Sequence, residues 1–357
     1  MKDFINQYCQ LAIENKDKIL VAIVGGVVGQ TKIKQDYSQH SIAAEFYCME
    51  DVIQMRKGFE VLGIETVTYY EENDFIEDYL ANGVSQNKTL VVVHFSPNGL
   101  YAGRHSLITA FCEKNKIIHT TDIPYLCSFL HDKFGWYKLL KDDFRIPTSF
   151  WYDGNLGWLY GQPKENTKII CKLNNEASSI GLGDKNVFDY HPKYDEFIGQ
   201  LSKDYGQRVI VQEFVSGIEV EVPVLSNREK CIALDPVWLK DEKNENMSNR
   251  VLNFTIRNSA DYKRINFSTI DKNMAEQMKN TSTLLAQKLG LFGIGRIDFR
   301  IDENQNYYLT DISTFPHINY TSSVVHSFGY LGFDQYHYTL AFLVGVSLGR
   351  YEYCHNE

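Results

Sequence analysis

The spacing of apolar positions changes along the chain, and each change predicts an element. Residues 19–28, Ile-Leu-Val-Ala-Ile-Val-Gly-Gly-Val-Val, are an unbroken apolar run ending in glycines, which predicts a buried strand entering a turn. Helical spacing takes over at residues 44–62 and stops at Gly63. Residues 66–70 and 89–95 read as two further strands. Strand, helix and strand in succession predict an open α/β domain with a parallel sheet. Helices over 107–114 and 128–140 then flank a short strand at 117–120, and Pro147 closes that unit. Strands follow at 169–172, 209–215 and 218–222, with a strand-like pattern at 251–257 after a charged segment at 240–250. Residues 271–289 predict an amphipathic helix, with Met274, Met278, Thr281, Leu285 and Leu289 on one face and Gly290 as terminator.

The next stretch carries chemistry. Ile297, Phe299 and Ile301 alternate with Arg296, Asp298 and Arg300, the period of a half-buried strand. If residues 302–307 turn with Asp302 opposite Tyr307, antiparallel pairing sets Asp298 against Asp311 and Arg296 against Ser313. Opposed like charges are unfavourable unless a cation lies between them, and hard oxygen donors suit magnesium with phosphate. Taken alone, such a pair more often marks a solvated hairpin. Upstream, Lys172 ends a strand before Glu176-Ala-Ser178-Ser179-Ile-Gly181-Leu-Gly183, a small polar loop. Such a loop can cover phosphates with N–H groups and hydroxyls while the lysine supplies a point charge, although most loops of this composition are merely flexible. Gly25, Gly26 and Gly29 lack both dinucleotide and P-loop spacing, and no acidic ribose reader follows, so they read as a turn.

Composition narrows the classes. With 357 residues, 44% hydrophobic and 23% charged, the chain is long enough for two or three domains around sizeable cores. A net charge of -9 argues against a nucleic-acid scaffold, which needs a basic surface. The seven cysteines are scattered without metal-ligand spacing and read as reduced thiols. No secretory pattern opens the sequence and no run approaches the ~18 apolar residues of a span, so the expectation is a cytoplasmic protein without a membrane partner.

The ordered set of motifs resembles the ATP-grasp ligases, specifically the D-alanine:D-alanine ligase branch, over about residues 90–348. Gly-Arg296-Ile-Asp298-Phe-Arg300 and Asp311-Ile-Ser313-Thr-Phe-Pro316 stand where that family has Arg-x-Asp and Glu-x-Asn-x-x-Pro. The resemblance implies an ATP-grasp fold of mixed α/β and α+β class, divided as 1–121 (N-terminal, open parallel sheet), 122–215 (small central subdomain) and 216–357 (C-terminal, metal-bearing). It implies ATP and magnesium, with manganese able to replace it, bound by Asp298, Asp311 and Ser313. Lys133, Lys172, Glu176, Ser178 and Ser179 then meet ATP phosphates, with Arg257 as a further phosphate contact. Gln212, Phe214 and Val215 face the adenine and Glu219 the ribose, while Arg296 stabilises a tetrahedral oxyanion. The implied activity joins a carboxylate to an amine through an acyl phosphate, on amino acids or amino-acid-like metabolites, in an enzyme that dimerises. A catalytically degenerate nucleotide-binding protein is the alternative.

Three departures from the family pattern stand out. Asp311 and Ser313 replace a glutamate and an asparagine, and His317 follows Pro316 where the family has glycine. His317 reads equally as a substrate contact or a packed histidine. Ser322 and Ser323 lie where the family holds an acceptor carboxylate, and a plain loop with serines fits as well. The N-terminal Glu-His-x-x-Ser signature is missing; Tyr37-Ser-Gln-His40-Ser and Glu45-Phe-Tyr-Cys-Met-Glu50 stand in its place without an assignment.

Overall fold

The computed structural model describes residues 1–85, 87–241 and 262–355. The expected strand at 251–257, with Arg257, and most of the charged segment at 240–250 lie outside them. Among the described residues, fifteen strands form three sheets. β1 (Ile19–Gly25), β2 (Glu65–Tyr69), β3 (Thr89–Phe95) and β4 (Ile118–His119) make a parallel sheet in the order β2-β1-β3-β4. β1 is apolar throughout because it is covered twice. Ile19, Val21 and Ile23 enter one cluster with α1 (Lys2–Glu14) and α2 (Met49–Val61), while Leu20, Ala22 and Val24 enter another with α3 (Glu72–Asn82) and α4 (Leu107–Lys114).

Two expected helices differ in detail. The helix expected at 44–62 starts at Met49, because Tyr47 pairs as a strand, its N–H donating to Gly26 O at 3.1 Å. The helix expected at 128–140 is broken into α5 (Pro124–Phe129) and α6 (Lys133–Leu140), with Asp132 between them capping α6 by accepting the Gly135 N–H at 2.9 Å.

An antiparallel sheet of β5 (Ser149–Asp153), β6 (Gly157–Tyr160), β7 (Lys168–Leu173), β8 (Val187–Asp189) and β9 (Val209–Glu213) packs on α7 (Asp195–Tyr205). The last sheet holds β10 (Ile218–Asn227), β11 (Cys231–Ala233), β12 (Val237–Asp241), β13 (Tyr262–Asn266), β14 (Phe292–Ile301) and β15 (Tyr307–Ser313). Its apolar face, with Val220, Val222, Ile297 and Phe299, packs on α8 (Lys272–Leu289), which Asp271 caps and Gly290 ends at φ 70.

Cores do not follow chain order at two places. Trp136 and Leu140 of α6 pack with Val220 and Phe299. After α9 (Ser323–Tyr330), α10 (Tyr336–His355) returns to the first sheet, where Leu340, Phe342 and Val344 join Ile5, Val21 and Phe59. A Cβ on Gly345 would stand 1.8 Å from the Tyr8 carbonyl oxygen, so only glycine allows α1 and α10 to approach this closely. Gly345→Ala is expected to cost about 1–3 kcal/mol through overpacking, read as a lowered urea midpoint; an unchanged midpoint would contradict the close fit.

Candidate active site

A cleft of about 1310 Å³ opens between the central and last sheets. The polar face of the last sheet forms its floor. Three strands place the charges in register: Glu221 of β10 opposes Asp298 of β14, which opposes Asp311 of β15, and Arg296 opposes Ser313. The expected pairs therefore meet, but not through the expected turn. Tyr307 pairs with Ile301 rather than Asp302, and a β-bulge at Thr310 restores the register before Asp311. Without that bulge, Asp311 would fall on the face of Tyr307 and Leu309, which is the core face. Deleting Thr310 would join Leu309 to Asp311 in a regular ladder and keep the carboxylates opposed. The shortened protein is expected to keep its helical and strand signal by circular dichroism; unfolding would refute the bulge as the sole irregularity.

Arg296 grips Asp298 in bidentate fashion, Nε to Oδ1 and an Nη to Oδ2, both at 2.7 Å, and lies 3.2 Å from Glu221. Burial pushes Asp298 up to about 7 against the pull of Arg296, with Glu221 and Asp311 adding to the rise. Burial also raises Glu219, opposed by Arg300, whose guanidinium lies 3.9 Å away and covers the Phe214 ring. Ser313 Oγ accepts the Phe315 N–H at 3.2 Å and shapes the turn into Pro316.

The opposite wall comes from the central sheet. Ile170, Lys172 and Gln212 project from β7 and β9 into the cleft, away from the apolar cluster on the other face. Lys172 Nζ donates to Gln212 Oε1 at 3.2 Å, and Gln212 Nε2 donates to Ser149 Oγ at 3.0 Å. Lys133 is placed by Asn174, whose carbonyl accepts the Lys133 N–H, and its Nζ donates to Glu176 O at 2.6 Å. Ser178 and Ser179 line the cleft with φ of 51 and 61, consecutive left-handed residues that non-glycine side chains adopt at a cost of about 1–2 kcal/mol each.

Other expected site residues are placed differently. Glu176 lines the cleft, but its carboxylate is tied into a buried network: it accepts from Arg104 at 3.0 Å, Tyr37 Oη at 2.7 Å and Gln207 Nε2 at 3.1 Å. Arg104 also donates to Glu45 at 2.7 Å, so two carboxylates share one guanidinium. Phe214 lines the cleft, whereas Val215 lines a neighbouring hollow with Ser216 and Gly217. Ser322 caps α9 by accepting the Val325 N–H, and neither it nor Ser323 lines the cleft. His317 lines it and packs on the Tyr47 ring at 4.9 Å. Arg104 and Gln207 lacked any sequence signal, and Tyr37 and Glu45 stood out only as part of the segments that replace the missing N-terminal signature; Glu221 had one, since it shares a strand face with Glu219.

Residues 165–339 match the family described as D-ala D-ala ligase C-terminus. The whole fold superposes on D-alanine–D-alanine ligase from Bacillus anthracis complexed with ATP, with TM-score 0.67 over 94% of this chain and 99% of that one at 13% identity. The chain has the ATP-grasp fold, and its residues 165–339 are similar to the C-terminal part of the D-Ala-D-Ala ligases. Among similar sequences, D-alanine–D-alanine ligase of Buchnera aphidicola is 27% identical over 157 residues, 44% of this chain and 47% of that one. The Legionella pneumophila enzyme of the same name is 26% identical over 242 residues, 67% and 55% of the respective chains. The ATP-grasp chain thus spans about half the length of these relatives. Among its described residues no helix is long and apolar enough to cross a membrane.

Proposed function

We propose that the protein is an ATP-dependent ligase that joins a carboxylate to an amine on amino acids or amino-acid-like molecules. The observation that carries this reading is the facing of two walls: Lys133 and Lys172 on one, and Arg296, Asp298 and Asp311 on the other, across a nucleotide-sized cleft. The relatives' names and the ATP bound by the Bacillus anthracis structure support it. Cytoplasmic residence and dimerisation belong to the same reading.

A carboxylate oxygen of one substrate attacks the γ-phosphorus of ATP, and the bond from that phosphorus to the ADP oxygen breaks. An amine nitrogen then bonds to the acyl carbon, phosphate leaves with the C–O pair, and the nitrogen loses a proton. Such chemistry asks the protein for position and charge rather than covalent work. Lys133 and Lys172 neutralise phosphate oxygens, and Arg296 stands where negative charge develops on the acyl oxygen.

The donors partly fit magnesium. Among the described residues there is no group of three or more His, Cys, Asp or Glu side chains able to hold an ion. Asp298 and Asp311 nevertheless offer the one or two carboxylates that a phosphate-carried magnesium needs. Magnesium held there would screen the acids of the floor from a triphosphate.

Incubation with ATP, magnesium and a panel of amino acids tests the reading. ADP release that requires both a carboxylate and an amine substrate is expected; ATP binding without release under every pairing would favour the degenerate alternative. Burial holds Lys172 down to about 8. Phosphate favours its charged form, so above that pH ATP binding is expected to take up a proton. Calorimetry in buffers of different ionisation enthalpy reads this uptake, and Lys172→Met should remove it.

A further inference from the structure

A second cavity adjoins the cleft and shares His131, Ala177, Ser178, Phe315 and His317 with it, among other residues. It lies at the carboxyl end of the parallel sheet. The cavity is lined by His94 and Phe95 at the end of β3, by Ser96 just past it, and by Thr120 and Thr121 just past β4. Open α/β sheets bind ligands outside the carboxyl ends of their strands.

The cavity wall is rich in imidazole. His94 and His105 are 4% and 1% exposed, and neither ring nitrogen of either makes a hydrogen bond, although His94 Nε2 lies 3.6 Å from Glu72. His105 stacks on His131 with ring centroids 3.3 Å apart. Burial, reinforced by nearby cationic side chains, holds His105 and His131 below the usual histidine range, so each neutral ring offers one N–H and one lone pair. Buried nitrogens in this state call for water or a ligand.

Charge decides which ligand. Among the described residues, Glu45 is the one carboxylate lining the cavity, and it is committed to Arg104 at 2.7 Å and to the Ala177 N–H. A substrate ammonium would find no free counter-charge there. An oxygen anion would find the imidazole N–H groups as donors, with Lys133 nearby, while the charge of Arg104 is taken up by Glu45 and Glu176.

We propose that this cavity binds the distal carboxylate of an acidic, dicarboxylic substrate among His94, His105 and His131, while its other carboxylate reaches the Arg296 end of the cleft. The inference rests on the ligase reading of the cleft. Calorimetric titration of the full chain, loaded with a non-hydrolysable ATP analogue, compares DL-glutamate, DL-alanine and DL-lysine. Glutamate is expected to bind about tenfold or more tighter than either, the scale of one hydrogen bond to a charged group. His105→Phe and His94→Phe should each bring the glutamate-to-alanine ratio towards one, whatever their effect on overall affinity. Absence of glutamate binding, equal or tighter binding of alanine or lysine, or a ratio preserved in both variants would overturn the proposal. ADP release is measured separately: glutamate that binds but never turns over with any amine counts against the ligase reading and leaves the cavity assignment standing.

Discussion

Replacing Arg104 with alanine is expected to cost about 3–5 kcal/mol of folding free energy, the range for removing one partner of a buried ion pair. Its guanidinium holds Glu45 and Glu176 together, and all three side chains are almost fully enclosed. Without it two carboxylates remain in a dry site with Tyr37 and Gln207 as their remaining side-chain donors. The loss should depend on pH with a definite sign. Burial already raises Glu45, and removing Arg104 raises it further. A carboxyl whose folded value exceeds its unfolded value contributes stability that is present at low pH and lost as pH rises through the folded value. The gap between Arg104→Ala and wild type in urea unfolding should therefore narrow as the pH falls. A triple variant, Arg104→Met with Glu45→Gln and Glu176→Gln, should recover much of the loss, because neutral replacement of a buried ionic cluster is often tolerated. An Arg104→Ala protein within about 1 kcal/mol of wild type at neutral pH would show the cluster to be wet and weak. ATP affinity should fall as well, since Glu176 also presents the carbonyl that holds Lys133.

Arg296→Ala is expected to lower turnover by about 10²–10³, the effect of removing one donor to a developing oxyanion. Fold stability changes too, because Asp298 and Glu221 lose the cation between them, so the measurement has to separate the two. Burial works against its charge, yet Asp298 and Glu221 hold Arg296 above the usual arginine range, so it stays charged at every working pH. Lysine offers that charge without the fork that spans both Asp298 oxygens, and Arg296→Lys should recover stability more than rate. A fall in kcat with KM for ATP little changed is the expected signature in ADP release. Equal turnover by Arg296→Lys and wild type would remove the directional donor from the mechanism.

Much of the site was legible because its charges sit on strands whose alternation is local. Arg296, Asp298 and Arg300 declare their face by the apolar residues between them. The bulge was also written there, less plainly: Leu309 and Ile312 are both buried though three apart, which strict period two does not allow. The expected register reached the correct acid pair with a turn one residue out, because the bulge offsets the difference. Glu176 read as a phosphate residue from its loop, but its partners Arg104 and Tyr37 come from distant segments with no periodic pattern. Arg104 lies in a short 3₁₀ turn at Ala102–Ser106, and nothing near it in sequence announces two buried acids. Nor did chain order reveal that α10 returns to the first sheet.

That return bears on how the molecule is made. The face of α1 bearing Phe4, Ile5 and Tyr8 leaves the ribosome early, but its cover, Phe342 and its neighbours on α10, is translated only after the entire cleft. During synthesis the first sheet must wait with an uncovered apolar flank, the condition in which nascent chains recruit chaperones or associate with one another. Once α10 docks, α1 and α10 lock together, and the first sheet's layer cannot loosen without drawing α10 with it.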